Sequence, residues 1–350
     1  MKKLTLRGQK PTRHGFGDGL VELGRRNPNV IALGGDITES VLTSLFKKEF
    51  PDRFFSIGIA EQNATTIAAG MALSGKVPFF ASYGAFCALR NADQIRISVC
   101  YNEANVKIGG GHSGISVGPD GATHQVLEEM AFLRALPHMT LIVPCDYDEA
   151  KKATIAIGEM HGPAYIRFGR SPVPQFTTED TPFEIGKAQV FREGNDVAIV
   201  ACGALVWEAM IAAEKLAEHG IEARVINNPS IKPFDFETIT TAARECGAMV
   251  TAEEHQVHGG LAAAVSECTA KNFPVPIEFV GVKDTFGGSG DPNELMVKFG
   301  LTWKEIYASA LMAIKRRDEG FTGEVRANKN VASYVPEEFT PATEAQFESK

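Results

Sequence analysis

Twice along the chain, short apolar runs alternate with stretches whose apolar residues fall at helical spacing, and that rhythm leaves few folds open. The runs 30–33, 54–59, 77–81, 106–110, 140–143 and 164–168 read as strands, with helical patterns between most of them. Such alternation predicts a mainly parallel sheet with helices on both faces, whose ligands gather at the carboxyl ends of the strands. Pro172, Pro174 and the polar stretch 177–182 then read as a linker. A second series begins at 196–201 and continues through a helix over 204–219, strands at 222–226, 248–252 and 277–280, and a closing helix near 303–315. The expected organisation is an α/β domain over 1–175, a linker over 176–190, a smaller α/β domain over 191–320 and a flexible tail over 321–350, where periodic apolar residues are sparse.

The 350 residues suffice for two such domains, each with its own core. A net charge of -8 offers no large basic surface, which disfavours nucleic acid and anionic membranes as partners. The 6 cysteines are scattered without a Cys-x-x-Cys pair and residues 1–10 carry no apolar signal region, so a cytoplasmic protein with reduced thiols is expected. No apolar run approaches the roughly 20 residues that a membrane-spanning helix needs.

Two segments carry the chemistry. In the first, the strand 54–59 leads through Ala60 to Glu61, which opens a helix of small residues over 64–75 and places a carboxylate where the strand ends converge. Acidic residues also favour first helical turns for capping and dipole reasons alone, so a purely local role for Glu61 stands beside a functional one. In the second, Gly118-Pro119-Asp120-Gly121-Ala122-Thr123-His124-Gln125 crowds glycines, an aspartate and a histidine into a turn before an apolar helix over 126–134. Between them lies a helical segment with Arg90-Asn91-Ala92-Asp93-Gln94.

These three segments, in this order and at about this spacing, resemble the pyrimidine-binding half of the transketolase family; the resemblance runs from about Thr12 to about Arg317. It implies a thiamine-diphosphate-binding fold, a pyrimidine domain followed by a smaller transketolase C-terminal domain. It covers only the later part of a full-length transketolase, which implies the carboxy-terminal subunit of a split enzyme. The cofactors implied are thiamine diphosphate and Mg2+, the latter with ligands on a partner that carries the diphosphate-binding domain, in a heterotetramer. By the same resemblance Glu61 hydrogen-bonds the pyrimidine ring nitrogen and favours its imino tautomer. Phe86 supplies an aromatic face for the ring, Tyr83 is a second candidate for that wall, and Asp36 matches an acid near the cofactor. His112, in Gly110-Gly111-His112-Ser113-Gly114, and His124 match residues that hold substrate hydroxyls and phosphate, and Asp120 matches a contact to a hydroxyl beside the carbonyl. Arg13 and Arg170 align with phosphate-gripping arginines, which suit phosphate through their forked donors, and Ser40 aligns with a hydroxyl contact.

Some features depart from the family. Gly111 stands where a threonine is usual and Pro119 replaces a common acidic residue, so substrate preference is expected to shift while the thiamine chemistry stays. Gly17-Asp18-Gly19 resembles the start of a diphosphate and magnesium motif, but the required asparagine pair is missing downstream, and Phe16, Leu20 and Leu23 instead mark one face of a helix. Glu253, Glu254, His255 and His258 form a polar loop for which a glycine-permitted turn is preferred over metal binding, and Asp284 with the loop 286–290 fits a role in subunit contacts. Other readings are a deoxyxylulose phosphate synthase, which normally has Arg where His112 stands, the beta subunit of a 2-oxo-acid dehydrogenase, and an assembly subunit without catalysis.

Overall fold

The computed structural model describes residues 5–320; the tail expected over 321–350 lies outside the described residues. The first sheet is built on β1 (Val30–Gly34), β2 (Phe54–Ser56), β3 (Val77–Tyr83), β4 (Lys107–Gly111), β5 (Thr140–Ile142) and β6 (Ala164–Arg167). Its strands lie in the order β5-β6-β4-β3-β1-β2, all parallel. β1 and β4 are buried at every position, as expected of parallel strands covered on both faces. The second sheet contains β7 (Gln189–Arg192), β8 (Val197–Ala201), β9 (Ala223–Asn227), β11 (Met249–Gln256) and β12 (Ile277–Val282), in the order β12-β11-β8-β9-β7 with only β7 antiparallel. The strand between β9 and β11 in sequence, β10 (Ser230–Lys232), pairs antiparallel with β5 and extends the first sheet to seven strands.

Helix α1 (Thr12–Arg26) buries Phe16, Leu20 and Leu23, the face that the sequence marks, and packs along α5 (Tyr147–Glu159). Gly15 and Gly19 sit where a Cβ would overlap the α5 backbone or Thr154, so the glycines here permit close helix packing. Asp18 accepts from Tyr147 Oη at 2.7 Å, a structural use for the residue that resembles a metal ligand.

Several elements differ from their expected limits, among them β11, which runs on past 252 so that Glu253, Glu254 and His255 lie in a strand and not in the expected polar loop. The strand at 54–59 ends at Ser56, because Gly58 takes a φ of 75°, and α2 (Glu61–Leu73) starts at Glu61 itself rather than at 64. The helix expected at 126–134 is α4 (Glu129–Ala135): Val126 is held extended by a bridge to Ser113, with Gly114 N donating to Val126 O at 3.1 Å. The segment around Arg90 belongs to a longer helical stretch, α3 (residues 85–101), widened to π-helical turns at Ala85–Arg90 and Ile95–Tyr101. π-helical turns are frequent at functional sites.

The two sheets meet at a buried charged cluster. Arg167, at the end of β6, donates through Nε to Glu129 Oε1 at 2.5 Å and through Nη2 to the carbonyl of Glu254, on β11, at 2.9 Å. Burial alone pushes the Arg167 guanidinium down, yet the facing carboxylates of Glu129 and Glu254 hold it above its ordinary value. Breaking such a pair from one side leaves an uncompensated charge. Glu129→Ala is therefore expected to destabilise the fold by about 3–5 kcal/mol, read as a lower urea midpoint, whereas Glu49→Ala, which removes the exposed partner of Arg25, leaves the midpoint essentially unchanged.

Candidate active site

The carboxyl ends of β1, β3, β4 and β6 face one edge of the first sheet, and Asp36, Tyr83, His112 and Arg170 come at or just after those ends. Glu61 arrives at the same edge as the first residue of α2, buried to 4% exposure. Its side chain caps nothing. Arg90 Nη1 donates to Glu61 Oε2 at 2.8 Å, a contact that a helix-start role does not require, although Glu61 does stand in the first turn, where the helix dipole favours an acid. The same Arg90 guanidinium lies over the Phe86 ring, 4.3 Å from its centroid, and fixes that ring beside the carboxylate.

From Phe86 a wall of rings continues inward. His124 meets Phe86 edge-on at 5.2 Å and Tyr83 edge-on at 5.7 Å; Tyr83 lies 5.8 Å from Phe86 and 4.2 Å from His112. Tyr83, the weaker wall candidate in the sequence, is thus the ring that touches all three others. His112 is 2% exposed and takes a φ of 53°, a left-handed conformation uncommon for residues other than glycine, and its Nδ1 is buried without a partner among the described residues. Burial, aided by the Arg13 and Arg170 guanidinia and by His124, pushes the His112 pKa down to about 3. The imidazole is neutral at pH 7, so that one ring nitrogen can donate to a ligand and the other can accept.

Beyond His112 lies a basic corner. Arg13 is held below its ordinary value first by burial and then by the Arg170 charge, while Arg170 Nη1 is 3.4 Å from Asp120 Oδ2. Arg13 Nη1 donates to the backbone carbonyl of Ser40 at 3.0 Å, and its Nε is buried without a partner among the described residues. Two guanidinia near a neutral imidazole, one with a buried unused donor, suit an anion. Ser40 joins this corner through its backbone carbonyl, which brings its side chain to the same segment. Asp36, with a φ of 62°, is exposed and accepts from Ser56 Oγ at 3.5 Å, its one side-chain hydrogen bond among the described residues.

The arrangement fits a flat aminopyrimidine at one end: a buried carboxylate with one oxygen engaged by Arg90, beside the faces of Phe86 and Tyr83. Arg90 received no role from sequence, although it opens the Arg-x-x-Asp-Gln segment. Thr12 was also missed; its Oγ1 accepts from Gly169 N at 2.8 Å and ties the Arg13 segment to the Arg170 segment. Among the described residues no group of three or more His, Cys, Asp or Glu side chains could hold a metal, and His255 spends Nδ1 on the carbonyl of Gln256 at 2.8 Å.

The depressed His112 pKa gives a direct test. With about 6.5 as the unfolded value, the folded imidazole, lowered to about 3, supports stability above pH about 6.5 and loses that support as the pH falls towards 3. Its NMR resonances are expected to stay flat from pH 8 to pH 5. A midpoint near the unfolded value would place the ring in water instead.

Comparison with known proteins identifies both parts of the chain. Residues 9–175 match the transketolase pyrimidine binding domain and residues 186–306 match the transketolase C-terminal domain. The chain is 40% identical over 306 residues to the 6-deoxy-6-sulfo-D-fructose transketolase subunit SqwH of Clostridium sp. (strain MSTE9), covering 87% of this chain and 95% of that one. It is 38% identical over 305 residues to an apulose-4-phosphate transketolase subunit of Phocaeicola vulgatus, covering 87% and 97%. A solved structure described as a split gene transketolase, inactive beta4 tetramer, superposes with a TM-score of 0.82 at 43% identity, covering 89% of this chain and all of that one. With matches of this extent across both sheets, the chain belongs to the transketolase family, a thiamine-dependent family of transferases.

Proposed function

We propose that this chain is the carboxy-terminal subunit of a split transketolase that moves a two-carbon ketol unit from a ketose phosphate to an aldose phosphate once joined to a subunit bearing the diphosphate-binding domain. The observation that carries the reading is Glu61: buried, not used as a cap, paired with Arg90 and set beside the aromatic wall. The helices that bear this pair also expose Leu73, Leu89, Ile97 and Tyr101, and Ile59 precedes them at 76% exposure. Exposed apolar side chains beside half a cofactor cleft suit a protein partner. The homologous β4 tetramer, described as inactive, points the same way. The magnesium ligands belong in this reading to the partner, and two copies of each chain form a heterotetramer. The described cysteines are all free and buried, which suits a reducing cytoplasm, and no helix among the described residues is long and apolar enough to cross a membrane.

When bound, thiamine diphosphate would supply a carbon nucleophile for ketol transfer. Glu61 would share a proton with the pyrimidine ring nitrogen, and Phe86 and Tyr83 would offer their faces to the ring. His112, as a neutral imidazole, and His124 exchange hydrogen bonds with sugar hydroxyls, and Asp120 takes a hydroxyl beside the carbonyl. Arg13 and Arg170 take the phosphate, with Asp120 releasing Arg170 to do so. Asp36 stands near the cofactor in this reading, and the Ser40 hydroxyl meets the sugar. An imidazole at 112 favours ketose phosphates over the pyruvate chemistry of deoxyxylulose phosphate synthases.

The assembled pair is expected to convert xylulose phosphate and ribose phosphate without releasing carbon dioxide and to leave pyruvate with glyceraldehyde phosphate untouched, while this chain alone turns over neither. Glu61→Gln in the same assembly should lose about 100- to 10,000-fold in turnover with an unchanged thermal midpoint. Transfer by the chain alone, or near-normal turnover by Glu61→Gln, would overturn the reading.

Arg13→Ala should raise KM for phosphorylated sugars by about 10-fold or more, the loss of one charge-assisted hydrogen bond, and leave hydroxypyruvate, which has no phosphate, nearly unaffected. Steady-state kinetics on both donors distinguish this from a general loss of packing.

A further inference from the structure

The loop between His112 and His124 carries most of the side chains assigned above to the sugar, yet much of what holds it comes from the second sheet. Glu254, on β11, accepts the Ser116 backbone N–H through Oε1 at 2.6 Å. Gly114, with a φ of 93°, lies so close that a Cβ there would overlap the Glu254 carboxylate. Ser171 Oγ donates to the Ser116 carbonyl at 2.7 Å from the Arg170 side. Behind this point, the Glu254 carbonyl accepts from Arg167, three residues before Arg170, and Arg167 holds Glu129, five residues after His124. This buried junction therefore links the middle of the loop, the helix that follows it and the strand leading to Arg170, while Gln125 Nε2, donating to Ile115 O at 3.0 Å, and Ser289 Oγ, donating to Pro119 O at 2.6 Å, hold the loop's later turn. Beside the junction is a cavity of about 30 Å³ whose walls include Ser113, Ser116, Ser171 and Glu254. Removing the carboxylate would enlarge that space, free the Ser116 amide to bond water, and unfasten the loop.

We propose that Glu254 is a positioning residue for sugar-phosphate binding: its carboxylate clamps the Ser116 amide so that His112, Asp120 and His124 stand at fixed places before the ligand arrives. A loop held this way binds without first losing its own freedom, which is where preorganisation gains affinity. The inference rests on the reading of this loop as the sugar site.

The test uses the full chain alone and ribose 5-phosphate as the probe, with the imidazole resonances of His112 and His124 as the readout. In the wild type both should shift on titration. Glu254→Ala should weaken the apparent Kd by about 10-fold or more, the effect of one lost hydrogen bond to a charged group, and should speed hydrogen exchange at Ser116. Glu254→Gln, whose amide oxygen can accept the same bond, should stay within about 3-fold of wild type. If Glu254→Ala does not fold, Glu254→Asp serves instead: it keeps the charge near Arg167 but is one methylene too short for Ser116. Wild-type affinity in a folded Ala or Asp variant, or an equal loss in Gln, would overturn the clamp. No histidine response in the wild type would instead overturn the sugar-site reading itself, and the clamp's purpose with it.

Discussion

Parallel alignment of β1, β3, β4 and β6 is the constraint on which everything else hangs, because it delivers four strand ends to one edge. Side chains separated by more than a hundred residues then meet without any long loop having to reach for them. The backbone at those ends pays for the convergence: His112 and Asp36 both take positive φ values that residues with side chains rarely adopt. Neither conformation persists unless its surroundings hold it. For His112 those surroundings are the Tyr83 ring on one side and the loop fastened by Glu254 on the other.

The site divides into two electrostatic halves. At the Glu61 end a buried carboxylate faces a guanidinium, and the pair is neutral as a unit. At the Arg13 end two guanidinia crowd each other, with only Asp120 at 3.4 Å to offset one of them. His112, close enough to the Arg13 end to feel both guanidinia, is a neutral imidazole and adds no charge of its own. The wall of rings gives the middle of the cleft shape without charge, which suits a ligand that is flat at one end and anionic at the other.

Much of this could be read from the sequence, for physical reasons that differ by residue. Strand runs and the buried face of α1 were legible because their periodicity is local: Phe16, Leu20 and Leu23 face the core wherever the helix is placed. Glu61, Phe86 and His124 could be named because they sit in ordered motifs. What escaped is what depends on partners distant in sequence. Arg90 matters through Glu61, 29 residues away, and Glu254 through Ser116, 138 residues away, and no window of sequence displays such pairs. The helix expected at 126–134 starts late for a similar reason, since the extended conformation of Val126 is imposed by Ser113 on the other side of the loop. The contact between Arg13 and Ser40 was hidden for a further reason, since it is made to the backbone carbonyl, which every residue type has.

The strand at Ser230–Lys232 bears on how such a chain can be divided. It leaves the second sheet's part of the sequence and covers the outer edge of β5, through Ser230 opposite Ile142 and Lys232 opposite Leu141. Severing the polypeptide between the two family matches, at residues 176–185, would therefore not yield two self-sufficient pieces. The leading piece would keep β5 with an open row of unpaired amides and carbonyls, a template for sticking to other molecules, and the trailing piece would carry a strand with nothing to pair against. A chain of this architecture is thus poorly suited to division at this junction, however separate its two halves look in sequence.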